Sequence, residues 1–380
     1  MVDTADYQVW ASHQGTATSA GPAGGDFNGD ATVDRLDYAE WSRRRVAKRT
    51  WYVATDGSDG NPGSEQAPWL TIRRAASLAD AGDRVVIRPG VYTTPANVKH
   101  SGTAEAPIAF VAGGPGVILD GSRDNSNEGF SAQEKRHLHL EGLTVRGWFR
   151  EGIAMYDVDG LVLIDVTVKD CGIRRHKWDH GVSLERCDKF TLYRVTATHN
   201  YANGIYVVDS DDGLLRQCTA DENDGTDGSD GILIQNARDI RLVACSAARN
   251  GEDGIDLGGF EEHVGRDSYN VAMIDCTASD NRDDGFAVSG TNGTQFKTHD
   301  VTVRGCTSRG NGGAGIQVYQ RASQVSLEKC RFVSNLRGLN FHSSAHDIAV
   351  VGCVIRDNRA ENLSIDSSVK NLTMKDNVVD

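Results

Sequence analysis

The side chains of this 380-residue chain most able to do chemistry are carboxylates that recur just before a glycine–apolar pair. Asp227 and Asp230, then Glu252 and Asp253, then Asp283 and Asp284 stand just before the glycine–apolar pairs Gly231-Ile232, Gly254-Ile255 and Gly285-Phe286. Asp256 follows Gly254 by two residues and adds a third carboxylate to the middle segment. If the three segments occupy one place on successive rungs about 5 Å apart, two such charges repel by about 3 kcal/mol at an effective dielectric near 20. A third rung repeats the penalty, and a bound cation removes it. Hard oxygen donors without His or Cys favour calcium over a transition metal. The competing reading is a row of hydrated Asp-Gly turns that needs no ion.

A second oxygen-rich set lies near the N-terminus. Asp26, Asn28, Asp30, Thr32, Asp34 and Asp37 take positions 1, 3, 5, 7, 9 and 12 of an EF-hand-type calcium loop. Asp rather than Glu at position 12 opens an amphipathic helix, expected over Leu36 to Arg45. The pattern Val33-Asp34-Arg35-Leu36-Asp37-Tyr38 with Trp41 repeats Val2-Asp3-Thr4-Ala5-Asp6-Tyr7 with Trp10. The first copy lacks its loop half, as a truncated start would leave it. Together these features resemble the dockerin repeat, a calcium-folded module, and that resemblance implies a cohesin-like or cell-surface partner.

These groups need a scaffold, and composition narrows it. Forty-two Gly against seven Pro suits many short strands joined by tight turns and disfavours helix bundles. A net charge of −13 argues against nucleic acid, which needs a basic face. There is no run of 18 apolar residues, the mean hydropathy is −0.42, and no basic-then-apolar leader opens the chain, so no membrane span is expected. Cys218, Cys245, Cys276, Cys306, Cys330 and Cys353 are each followed five residues later by Asn223, Asn250, Asn281, Asn311, Asn335 and Asn358. Spacings of 23 to 31 residues suit one coil of a parallel β-helix, with every second side chain turned inward. In that arrangement the cysteines stack as small buried hydrophobes, disulfides being the alternative, and no CxxC pair marks a zinc or iron–sulfur site. The asparagines form a hydrogen-bond ladder at a turn. The expected fold is all-β, a single-stranded parallel β-helix with a capping helix over Thr71 to Ala79, preceded by a small α-helical module. The boundaries are residues 1–45 for the module, 46–50 for a linker, 51–122 for the cap and first coils, and 123–380 for the repeats.

Residues 51–380 resemble right-handed parallel β-helix proteins that act on polysaccharides. The segments Trp51 to Pro62, Pro89-Gly90-Val91-Tyr92, and Ser101-Gly102-Thr103-Ala104 to Pro107-Ile108 are similar to family 9 pectate lyases and to related alginate lyases and epimerases. Asn250-Gly251-Glu252-Asp253-Gly254-Ile255-Asp256-Leu257 resembles the calcium segment of the family 9 lyases. The resemblance implies Glu252, Asp253 and Asp256 as ligands, with Asp230 from the preceding coil, and an acidic polysaccharide as substrate. It implies that the calcium receives a uronate carboxylate, a base removes the C5 proton, and the bond at C4 breaks. The family's catalytic lysine follows a Gly-Phe pair one coil later, where this chain has Gly285-Phe286-Ala287. Substitutes on neighbouring outward positions or loops are Lys297, Arg266, His263, Tyr206 and His180. Lys297 is expected as base, His180 as a substrate contact, and Tyr206 and Arg266 as further substrate-binding groups. A polygalacturonase-like hydrolase and a non-catalytic carbohydrate-binding protein are the other two readings. An extracellular monomer is expected by the same likeness.

Overall fold

The computed structural model describes residues 4–18, 21–123, 127–176, 178–225, 228–258, 266–290 and 297–380. Within them the chain winds through three parallel sheets of 13, 11 and 12 strands, each coil giving one short strand to each sheet. The alternation expected from Gly231-Ile232-Leu233-Ile234 is realised. Ile232 and Ile234 are fully buried inside the coil, and the strand pairs in register with Ile205–Val208 before it and Ile255–Gly258 after it. The cap helix spans Ile72–Leu78, with Thr71 as N-cap accepting the Arg74 N–H and Ala79 as C-cap. It buries Ile72, Ala75 and Ala76 on the core that runs the length of the solenoid. No helix among the described residues is long and apolar enough to cross a membrane.

The corners explain the two ladders. Cys218, Cys245, Cys276, Cys306, Cys330 and Cys353 stack inside the turn between the 13- and 12-stranded sheets, all buried and all free thiols. Cys171 and Cys187, also free and buried, sit at other corners. The residue just before each stacked cysteine turns the chain in the left-handed region: Gln217, Ala244, Asp275, Gly305, Lys329 and Gly352, with φ from 52° to 65°. A non-glycine residue held there costs about 1–2 kcal/mol, so the coil must over-determine it. At the next corner the asparagines do so. Asn250 Oδ1 accepts the Asn223 backbone N–H at 3.1 Å and its amide at 3.0 Å, while Asn250 Nδ2 donates to Ala220 O and to Asn281 Oδ1, both at 2.9 Å. The same pattern runs from Asn200 to Asn358, leaving no polar atom of the buried amides to be desolvated alone. Beyond this corner the rungs approach closely. A Cβ on Gly254 would lie 2.6 Å from Gly285 O and 2.7 Å from Asn281 Nδ2, so the glycine of each glycine–apolar pair is sterically required.

The N-terminal segment is not a free appendage. Helices Thr4–His13 and Arg35–Arg44 pack their aromatic residues together, and Trp10, Phe27, Val33, Tyr38, Ala39 and Trp41 form one cluster with Val162 and Ile164 on the outer face of the 13-stranded sheet. The second helix falls within one residue of the expected Leu36–Arg45. Arg35 pairs with Asp212, Arg43 with Glu141 at 2.7 Å and Arg216 with Asp30 at 3.3 Å. Residues 46–50 are bound to the solenoid as well, since Lys48 N–H donates to Gly82 O and Thr50 begins the first strand.

Candidate active site

The residue before each glycine–apolar pair occupies the corner between the 12- and 11-stranded sheets. Along that corner stand Glu151, His180, Asn203, Asp230, Asp253, Asp284, Ala314 and Arg337. From Asn203 onward they form a third ladder. Asn203 Oδ1 accepts the Asp230 N–H at 2.7 Å, Asp230 Oδ1 the Asp253 N–H at 2.9 Å, and Asp253 Oδ1 the Asp284 N–H at 2.7 Å. Asp284 Oδ1 accepts the Ala314 N–H. One oxygen of each aspartate is thus committed to holding the next rung, and all three residues are at most 9% exposed.

Asp256 points outward from the strand Ile255–Gly258, between the buried Ile255 and Leu257, and stands beside this ladder. Its Oδ1 is buried and has no hydrogen-bond partner among the described residues. Asp253, Asp283 and Asp284 can each bring an oxygen within 4.8 Å of the others. That is the separation of ligands on opposite sides of a calcium ion, whose Ca–O distances are about 2.4 Å. Burial pushes the Asp230 carboxyl well above its ordinary range, and Asp256 and Glu252 push it further. Asp253 moves the same way through burial and its neighbours Asp230, Asp256 and Asp284. Asp256 is raised to about 7 by burial and by Glu252 and Asp284, and Asp284 to about 7 chiefly by burial. The donor set, its spacing and the orphaned Asp256 oxygen all fit a hard divalent cation. Asp227 and His263 lie outside the described residues.

The other expected residues divide between two edges of the 11-stranded sheet. His180 stands in the same corner as the ladder, two rungs before Asp230, and Tyr206 projects from the sheet beside it with ring centroids 4.3 Å apart. The His180 ring is 2% exposed, and burial lowers its pKa to about 3, so it is a neutral imidazole. Ala287 pairs directly with Asp256 on the next rung and is buried. Lys297 is exposed at the opposite edge. Its neighbour Thr298 donates a hydroxyl to Ser289 O at 2.6 Å, two residues along the strand from Ala287, which puts Lys297 roughly 10 Å from the Asp256 column. Arg266 stands at that edge too, but its guanidinium is held by Asp211 at 2.9 and 3.0 Å and by Asn236 O at 2.7 Å.

Two groups that bear on the site escaped the sequence reading. Tyr319 faces out from the same sheet, and its phenol is pushed up by burial and by Asp256 and Asp253. Glu151, buried three rungs before Asp230, is raised to about 7 by burial and lies 3.4 Å from the Tyr156 hydroxyl. Glu151-Gly152-Ile153 obeys the glycine–apolar rule that located the aspartates, so the signal was present.

Residues 51–360 match the family model described as the Pel9A-like right-handed β-helix region. The chain belongs to that family. As a Pel9A-like β-helix it is 42% identical over 73 residues to pectate lyase PEL9 of Emericella nidulans, covering 18% of each protein. It is 32% identical over 117 residues to the uncharacterized protein YwoF of Bacillus subtilis, covering 31% of this chain and 22% of that one. The matches therefore span about a fifth of these relatives' length. The crystal structure of pectate lyase Pel9A superposes with a TM-score of 0.56 at 18% identity, covering 87% of this chain and 80% of that one, which shows the shared Pel9A-like fold.

Proposed function

We propose that this Pel9A-like chain is a calcium-dependent enzyme that cleaves a uronic-acid polysaccharide such as pectate or alginate by β-elimination, or epimerises it at C5. The observation that carries the reading is the buried aspartate ladder with the orphaned Asp256 oxygen, a charge excess that a divalent cation offsets. Asp230, Asp253, Asp256, Asp283 and Asp284, with Glu252 at the rim and Asp227 in the same segment, would hold the ion. When bound, such an ion supplies positive charge for the substrate carboxylate and thereby acidifies the C5 proton.

The protein's own groups do the rest. Lys297, across the four-residue width of the sheet, is the proposed proton acceptor, since a pyranose ring and a lysine stem together bridge the gap to Asp256. His180 and Tyr206 contact the sugar on the near flank, and Arg266 borders the far one. Loss of the C5 proton and breakage of the C4–O bond leave a 4,5-unsaturated uronate; return of the proton to the opposite face of C5 gives the epimer instead. The N-terminal loop, with Asp26, Asn28, Asp30, Thr32, Asp34 and Asp37 as its oxygen donors, is proposed to bind a second calcium. Its dockerin-like pattern leaves a cohesin-like partner as a proposal, and an extracellular, monomeric protein fits both calcium sites.

The buried methyl of Ala287 beside Asp256 favours a second reading, a non-catalytic binding protein. Ultraviolet absorbance of the unsaturated product on pectate and alginate, with calcium and with chelator, separates the two. Calcium-dependent absorbance that Lys297→Ala abolishes supports the lyase. Binding with neither absorbance nor C5 inversion by proton NMR supports the binder.

A further inference from the structure

The N-terminal helices do not seal against the solenoid everywhere. Where they cross the corner between the 11- and 13-stranded sheets, at the edge of the 11-stranded sheet away from the aspartate ladder, they leave a cavity of about 380 Å³. Its floor is one position on successive rungs. The His137 N–H donates to Asp159 O at 2.7 Å, Gly160 to Asp188 O at 2.8 Å and Lys189 to Asp211 O at 3.0 Å, which stacks His137, Gly160, Lys189 and Asp212 in register about 4.8 Å apart. A Cβ on Gly160 would lie 2.5 Å from His137 Nδ1, so the glycine makes room for the imidazole. The roof is aromatic. Trp10 donates its indole N–H to Asp34 O at 2.6 Å and Tyr38 its hydroxyl to Ala104 O at 3.1 Å, so both rings are fixed, with centroids 5.1 Å apart and 8% and 7% of the residues left open.

Three kinds of binding capacity meet in this cavity. The held rings offer apolar surface of the type that packs on pyranose C–H groups. Asp159 Oδ1 and His137 Nδ1 are buried with no hydrogen-bond partner among the described residues, and buried polar atoms of this kind are costly unless a ligand or water meets them. Burial also holds His137 below its ordinary pKa, which leaves its ring neutral. Of the two cations in the lining, Arg35 is spent on Asp212, which accepts its Nε at 3.1 Å. Lys189 stands exposed in the wall and supplies the charge that a carboxylate on a ligand would meet.

We infer that the seam between the N-terminal helices and the solenoid is a second glycan site, taking one uronate unit with its ring against Trp10 and Tyr38, its carboxylate on Lys189 and its hydroxyls on Asp159 and His137. The site needs no metal and holds the polymer to the protein without touching the reacting atoms. The inference rests on the proposed function only in taking the ligand to be an acidic polysaccharide. It is tested by calorimetric titration of trigalacturonate into the full-length Asp253→Asn protein with calcium present, so that the ladder is impaired while the N-terminal loop can still take its ion. Residual binding at one site is expected, with an uncharged galactose trisaccharide bound roughly tenfold more weakly, the worth of one charge-assisted contact. Adding Lys189→Glu should weaken trigalacturonate by tenfold or more. Adding Ala11→Trp, which fills the cavity from an exposed helix position, should do the same. No residual binding, equal affinity for the uncharged trisaccharide, or binding that neither added substitution weakens would overturn the inference. Residual binding that both substitutions weaken, in a protein whose unaltered form neither cleaves nor epimerises uronan, would instead sink the enzyme reading and leave the seam site standing.

Discussion

Two acidic regions of this molecule solve the problem of buried charge differently. In the N-terminal loop the donors are local. Asp26 Oδ1 accepts from Gly29 and Asp30 and its Oδ2 from Ala31, while Asp37 accepts from Asn28 and from Asp34, all at 2.7–3.1 Å. The loop's own amides shape it, as in an Asx turn, and Asp37 doubles as the capping-box partner of Asp34. In the solenoid the donors come from the next rung, 23 to 31 residues away, and they serve one oxygen per aspartate while Asp256 Oδ1 gets none among the described residues. Stacking repeats one residue type at one place, so a carboxylate there is multiplied by the fold itself. The loop meets its carboxylates with amides from within ten residues, whereas the ladder accumulates charge beyond what its amides offset.

The sharpest way to break this comparison is Asp253→Asn. Asn203 already shows that an amide oxygen can accept the next rung's N–H, so melting should shift by only a few degrees. Calcium affinity at the ladder and activity on uronan should each fall by more than about 100-fold, since removing a ligand costs more than removing a supporting group. Product absorbance and thermal melting on the same sample check both halves. Asn250→Ala should do the reverse. It strips partners from Asn223 and leaves buried amide groups unpaired, at a cost of about 2–4 kcal/mol in denaturant unfolding.

The pH dependence sharpens the contrast further. Asp256 and Asp284 have pKa values near 7 in the folded chain, above their value of about 4 when unfolded. Between these values the folded chain holds protons that the unfolded chain releases, so stability without metal must fall as pH rises from about 5 through 7. Melting in chelator should therefore improve on acidification from pH 8 to about 5.5, and saturating calcium should erase most of the difference. The smallest effect belongs to Arg216→Ala, which removes a partly exposed pair with Asp30. It should cost less than about 1 kcal/mol in denaturant unfolding and leave uronan turnover unchanged.

The three ladders were legible because identical residues recur at one offset, and a solenoid turns such recurrence directly into contact. Cys218 to Cys353, Asn223 to Asn358 and the aspartates at 230, 253 and 284 all announced themselves in this way. Glu151 obeyed the same rule but stood alone, on a coil whose cysteine position is Leu143, so no neighbour drew attention to it. The seat of the N-terminal helices was hidden for another reason. Leu161-Val162-Leu163-Ile164 reads as an apolar strand, and a parallel strand covered on both faces reads the same whichever side is solvent. The pairing of Arg266 with Asp211 was hidden because the two lie 55 residues apart, across loops whose lengths follow no repeat.

Calorimetric titration of calcium into the metal-free full-length chain, beside Asp253→Asn, tests the central claim most directly. The account predicts that the unaltered protein takes up one more calcium than the variant, with the lost site the one that uronan binding requires. Identical calcium uptake by the two proteins would contradict it.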